Sequence, residues 1–111
     1  MGCAGCGTDC AAVLTQEIKD VVSQSAFVPI TTVSREGQPH LIVVGKVKEI
    51  RGNNTLVFGV YKMVKTRQNL AENGIIQAAA VAEKKGYRFS GKGQAEGDEV
   101  ILTVDKVETL L

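Results

Sequence analysis

Apolar and polar positions along the chain follow a period of two far more often than a period of 3.6. Over residues 55–61, Leu56, Phe58 and Val60 fall on one side of an extended backbone and Val57, Gly59 and Tyr61 on the other, which is strand spacing. Residues 86–95 alternate as clearly. Tyr87, Phe89, Gly91, Gly93 and Ala95 share one face, and Arg88, Ser90, Lys92 and Gln94 the other. Glycines at 91 and 93 predict a sharp bend of the kind that closes small barrels. Residues 26–34 are β-rich, and Pro29 within them predicts an edge position or a bulge, because proline has no amide to donate. The turn at Arg35-Glu36-Gly37-Gln38 leads into a strand over residues 39–50. There Leu41 to Val44 is apolar on both faces, so both faces need cover. One small barrel covers a strand from the inside only. The outer side of this one is therefore expected to meet a second subunit or a cofactor. Residues 75–82 fit a strand by length, lying between a helix stop and a K-K-G turn, and their alanines let a flat group approach the backbone. The final strand spans residues 99–111.

Two segments break the pattern. Leu14, Ile18, Val21 and Val22 recur at helical spacing, predicting an amphipathic helix over residues 11–25 with Thr8 or Asp9 as its cap. After Met63, the polar run Lys65-Thr66-Arg67-Gln68-Asn69 reaches Leu70 and then Asn73-Gly74, a helix with a C-terminal stop. Together these elements predict a mainly β chain, a six-stranded antiparallel β-barrel of Greek-key type with two helices.

The chain has 111 residues and a formal net charge of +1. The length suits one domain, here residues 11–111 behind a cysteine-rich tail over residues 1–10. The charge balance speaks against a general nucleic-acid binder or a membrane-surface binder. No apolar run nears the roughly 20 residues of a membrane span. The N-terminus lacks a basic region followed by an apolar core, so no secretion signal is expected and a cytoplasmic location is.

Candidate chemistry is concentrated in two places. Cys3, Cys6 and Cys10 stand at C-x2-C-x3-C spacing with glycines between them. An odd number cannot close as disulfides within one chain. Clustered thiolates in a reducing compartment suit a metal or an iron–sulfur cluster, and free thiols in a loose tail are the alternative. The second place is the start of the helix after strand three. Lys62, Lys65, Thr66 and Arg67 gather at its first turn, where helix amides have no partner. Three cations, a hydroxyl and free amides suit an anion, most naturally a phosphate; a solvated basic helix start is the plainer reading. No Ser-His-Asp set, HExxH or Walker loop is present. His40, the only histidine, follows Pro39 at a strand start and is expected at a barrel rim or surface.

Several segments resemble, in order and spacing, the FMN-binding split-barrel family of the pyridoxamine 5'-phosphate oxidases, and especially the small FMN-binding proteins of anaerobic bacteria. They are G-Q-P-H at residues 37–40, M-V-K-T-R-Q-N-L at 63–70, G-Y-R-F-S-G at 86–91 and I-L-T-V-D-K-V-E-T-L at 101–110. The resemblance implies a split barrel working as a homodimer with FMN at the subunit interface. It implies a phosphate held by Lys65 and Thr66, helped by Lys62 and Arg67. Val43, Val44 and Gly45 would run beside the ribityl chain and ring, and Tyr61 and Leu110 would lie near the flavin. The small relatives often carry polar and aromatic residues where this chain has Val43-Val44-Gly45. That departure removes ribityl hydrogen bonds and leaves main-chain contacts. Three readings remain: a flavoprotein in electron transfer or a small oxidoreductase, with a small molecule or redox protein as partner; a barrel that has lost flavin and holds another phosphate-bearing or tetrapyrrole ligand, or nothing; and a metal or iron–sulfur protein using the cysteine tail.

Overall fold

The structure, a computed structural model, describes residues 14–59 and 63–110. The chain runs α1 (Gln16–Gln24), β1 (Val28–Val33), β2 (Pro39–Val44), β3 (Glu49–Arg51), β4 (Thr55–Gly59), α2 (Val64–Glu72), β5 (Ile75–Ala82), β6 (Lys85–Glu96) and β7 (Glu99–Thr109). All strand pairs are antiparallel, in the order β2-β1-β5-β6-β7-β4-β3.

The edge strands are β2 and β3, which are neighbours in sequence. Laid flat, seven strands would put those edges about 29 Å apart at ordinary strand spacing. The link from Val44 to Glu49 can reach only about 18 Å. The sheet must therefore curl until its edges approach, leaving a barrel open between β2 and β3. This opening accounts for the seventh strand. The single strand expected over residues 39–50 is interrupted from Gly45 to Lys48, and its two halves pair at opposite edges of the sheet.

The inner face carries the core. Phe58, Phe89, Leu56, Ile30, Ile76 and Leu102 are buried to within 1%. Leu14, Val21 and Val22 of the α1 region close one side of it, with Ile18 packed alongside. This is the apolar stripe read from the sequence, but the helix begins later than expected. Leu14 and Thr15 precede it, and the Thr15 hydroxyl accepts from the Ile18 amide at 3.3 Å. Thr15 is thus the cap in place of Thr8 or Asp9, which lie outside the described residues. Lys85 pairs with Glu17 and ties α1 to the β5–β6 turn.

Pro29 does not mark an edge strand. β1 lies inside the sheet, but its ladder with β5 begins only at Ile30, so at Pro29 the strand is paired on the β2 side alone. The glycines of β6 behave as the bend required. A register shift falls between Ser90 and Gly91. A β-carbon on Gly91 would lie 2.0 Å from the Thr103 carbonyl oxygen, and one on Gly93 would lie 2.7 Å from Leu70 Cδ2. Gly93 therefore lets α2 settle onto the sheet.

Candidate functional site

Helix α2 spans Val64–Glu72, a mostly polar run whose buried side is Thr66, Asn69 and the apolar anchor Leu70. It stops where expected, at Asn73, with Gly74 at φ 68°. Its C-terminal end is fastened to β1. Asn73 Nδ2 donates to the Val33 carbonyl at 2.6 Å, and Asn69 Nδ2 donates to Thr32 Oγ1 at 3.0 Å.

The start of α2 is chemically open. Met63, the N-cap residue, offers no side-chain bond, and the first turn holds no acidic residue. Free amides at a helix start carry partial positive charge. Lys65 is exposed and has no ion pair among the described residues. Thr66 turns inward, 1% exposed, and its hydroxyl has no protein hydrogen-bond partner among the described residues. Arg67 donates to the Gly97 carbonyl and so serves the β6–β7 turn. The basic cluster thus divides into one outward cation, one buried hydroxyl and one guanidinium committed to a loop. Lys62 and Tyr61 lie outside the described residues.

The β2 candidates also divide. Val44 is 6% exposed and faces the core, whereas Val43 is 59% exposed and points outward. A ligand would meet Val44 only through its main chain. Gly45 is exposed, with no heavy atom within 4 Å of where a β-carbon would stand. Leu110, just past β7, is 44% exposed, and its amide bonds the Gly86 carbonyl at 2.8 Å.

The outer face of the sheet holds a feature that the sequence only hinted at. A shallow, open groove is lined by Pro29, Thr31, Gln77, Ala78, Ala79 and Arg88. Its floor is formed by alanines of β5, the residues whose small size predicted the approach of something flat. Val43 stands beside it through its pairing with Pro29. Arg88 is held by Glu108 through bonds of 3.0 and 2.7 Å. Hydrogen bonding from Arg88 holds the Glu108 carboxyl below its ordinary range. The groove and α2 do not share a face of β1, since α2 meets the inner-facing Thr32 and the groove includes the outer-facing Thr31 and Pro29.

Asn69 was read from the sequence only as part of a helix-forming run. Its complete burial, with a bond across to Thr32, depends on packing between elements far apart in the chain. Cys3, Cys6 and Cys10 lie outside the described residues. Among the described residues no group of His, Cys, Asp or Glu is arranged to hold a metal ion, and no helix is long and apolar enough to cross a membrane.

Known proteins resemble this arrangement. Group A Streptococcus HupZ is 25% identical, with a TM-score of 0.75 over 87% of this chain and 94% of that one. An FMN-binding protein from Syntrophomonas wolfei subsp. wolfei is 15% identical, with a TM-score of 0.68 over 83% of this chain and 82% of that one. A heme binding protein from Mycobacterium smegmatis is 18% identical, with a TM-score of 0.64 over 81% of this chain but only 50% of its own length. The last two likenesses establish the fold alone. No curated protein matches the chain. The pyridoxamine 5'-phosphate oxidase family profile matches residues 14–103, nearly the whole described chain, and the chain belongs to that family.

Proposed function

We propose that this protein binds FMN and works as a small flavoprotein, in electron transfer or as an oxidoreductase, with a small molecule or a redox protein as its partner. The observation that carries the reading is the start of α2. It is a helix N-terminus without a side-chain cap, with an exposed lysine and, in the same turn, a buried hydroxyl, neither of which has a side-chain or hydrogen-bond partner among the described residues. A phosphate fits this set. The free amides and the Lys65 ammonium would hold its charge, and the Thr66 hydroxyl would gain an acceptor. Lys62 would assist. Arg67 would act by fixing the β6–β7 turn against the helix. The ring would run along the main chain of Val43, Val44 and Gly45, near Tyr61 and Leu110. When bound, FMN supplies one- and two-electron redox chemistry, and the chain supplies binding, orientation and exclusion of water. The exposed apolar side of β2 supports a homodimer with the flavin at the interface.

Titration of the purified protein with FMN and riboflavin tests the grip. A hydrogen bond to a charged group contributes roughly 1.5–3 kcal/mol. Lys65→Ala should therefore weaken FMN binding by about ten- to a hundredfold. Riboflavin, lacking the phosphate, should be nearly indifferent to the substitution. Equal losses for both ligands would make Lys65 structural and overturn the assignment.

A tetrapyrrole is the second reading, favoured by one observation. Leu41 and Val43 present an apolar outer side on β2, with no hydrogen-bonding side chain between them for a ribityl hydroxyl. A heme titration run beside the FMN titration separates the two. Tight FMN binding that leaves heme unbound removes the tetrapyrrole.

A further inference from the structure

Two buried side-chain oxygens have no protein partner among the described residues, the hydroxyl of Thr66 and the amide oxygen of Asn69. Both belong to α2, and their residues are 1% and 0% exposed. Standing three positions apart, they lie on one helix face, where β-carbons are about 5–6 Å from each other. No direct bond joins them, and buried polar atoms are nearly always partnered by protein or by ordered water.

We propose that Asn69 is a positioning residue for the anion-binding turn, acting through one internal water that it shares with Thr66. The proposal rests on the FMN reading for the identity of the anion. One assignment of hydrogens fits these partners. Asn69 Nδ2 donates to Thr32 Oγ1 at 3.0 Å. The water gives one hydrogen to Asn69 Oδ1 and the other to Thr66 Oγ1. The Thr66 hydroxyl, already accepting from the water, keeps its own hydrogen free for a phosphate oxygen at the helix start. A neutral hydroxyl would otherwise be as ready to accept as to donate. Asn69 thereby sets which way Thr66 points, and anchors the turn to β1, whose opposite face carries the groove residues Pro29 and Thr31.

A high-resolution crystal structure of the native protein should show one ordered water within hydrogen-bond distance of both oxygens. An empty gap there, or a direct Thr66–Asn69 bond, overturns the bridge. The functional arm uses Asn69→Leu, Thr66→Val and the double variant, each titrated with FMN and with riboflavin. Each single change should lower FMN affinity by about tenfold, the lower end of what a hydrogen bond to a charged group contributes. The double variant should lose little more than either single, because each breaks the same chain. Riboflavin affinity should stay within about twofold throughout. Additive losses, or equal losses for riboflavin, overturn the positioning role. Should Asn69→Leu fail to fold, Thr32→Val removes the acceptor of Asn69 and carries the same comparison. FMN binding that depends on Lys65 but ignores Asn69 defeats this proposal alone. A native protein that takes up no FMN defeats the flavin reading, and the crystal water then decides the bridge by itself.

Discussion

Gly91 and the pair Glu83-Lys84 show single residues at opposite ends of the scale of fitness for their places. A methyl group on Gly91 would meet the Thr103 carbonyl oxygen at 2.0 Å and the Asp105 amide nitrogen at 3.0 Å, both of them backbone. Neither neighbour can yield as a flexible side chain would. Gly91→Ala should cost about 3 kcal/mol, as overpacking of a tight site does, read as a lowered midpoint in urea unfolding. At Glu83 and Lys84 the backbone is left-handed, with φ 51° and 69°. Two-residue hairpin loops favour Asn-Gly there, because other side chains are strained in that region. Replacing the pair by Asn-Gly should raise stability by about 1 kcal/mol, measured in the same way. The bend at Gly91 and Gly93 was legible in the sequence, because a strand that places glycines on its inner face has few other reasons to do so. The Glu83-Lys84 turn was not. The sequence pointed to the K-K-G run, yet Gly86 is buried inside β6 and two charged residues make the turn.

At the level of elements, the sequence was most informative where a local rule was strong enough to decide alone. Asn73-Gly74 ended α2 as read, the two-residue period placed β4 and β6, and length between a helix stop and a turn placed β5. It failed where the answer lay in distant pairing. Nothing local tells the run over residues 39–50 to leave β1 after Val44 and join β4 from Glu49, since that follows from closure of the barrel. The long-range ion pairs were equally hidden, and they have a pH consequence. Glu108 is hydrogen-bonded by Arg88, and Glu99 by Lys48 at 2.6 Å. Both carboxyls titrate below the ordinary 4.5 in the fold, mainly through those hydrogen bonds. A depressed folded-state value means that the fold binds the proton less readily than the unfolded chain. The stabilisation is therefore present above pH 4.5 and lost as pH falls through the lower folded values. Urea midpoints measured from about pH 7 to pH 3 should drop along this acid limb, and Glu108→Gln should make the drop shallower. Both groups are solvent-accessible, so added salt should reduce the difference. An acid limb unchanged in Glu108→Gln would assign the sensitivity to other carboxylates.

For the whole molecule, the decisive feature is the apolar surface that the barrel leaves uncovered. The sequence showed that Leu41 to Val44 is apolar on both sides of a strand. The structure assigns the sides: Val44 faces the core with Ile42 packed against it, while Leu41 and Val43 are 64% and 59% exposed. What the sequence could not show is the company they keep. β1 and β5 are distant in the chain, and only their pairing puts Ile75 and Val81 of β5 on the same outer face as Leu41 and Val43. Between them lie Pro29, Ala79 and the shallow groove. These exposed apolar side chains share the outer face with the polar Thr31, Gln77 and Arg88, a mixture common at subunit interfaces. A second copy of the same chain is the expected partner, because a two-fold axis matches one such patch with itself. The dimer should bury on the order of 1,600 Å² or more. The test is a paired substitution, Leu41→Lys with Val43→Glu. It leaves the inward-facing Ile42 and Val44 in place, so the barrel should still fold, as circular dichroism would report. Sedimentation at micromolar concentration should find the native protein dimeric and the double variant monomeric. FMN affinity should fall with the dimer if the ring lies at the interface, whereas a monomer that keeps native FMN affinity would put the flavin wholly within one subunit. A native protein that sediments as a compact monomer would refute the dimer and leave the outer face of β2 without its expected cover.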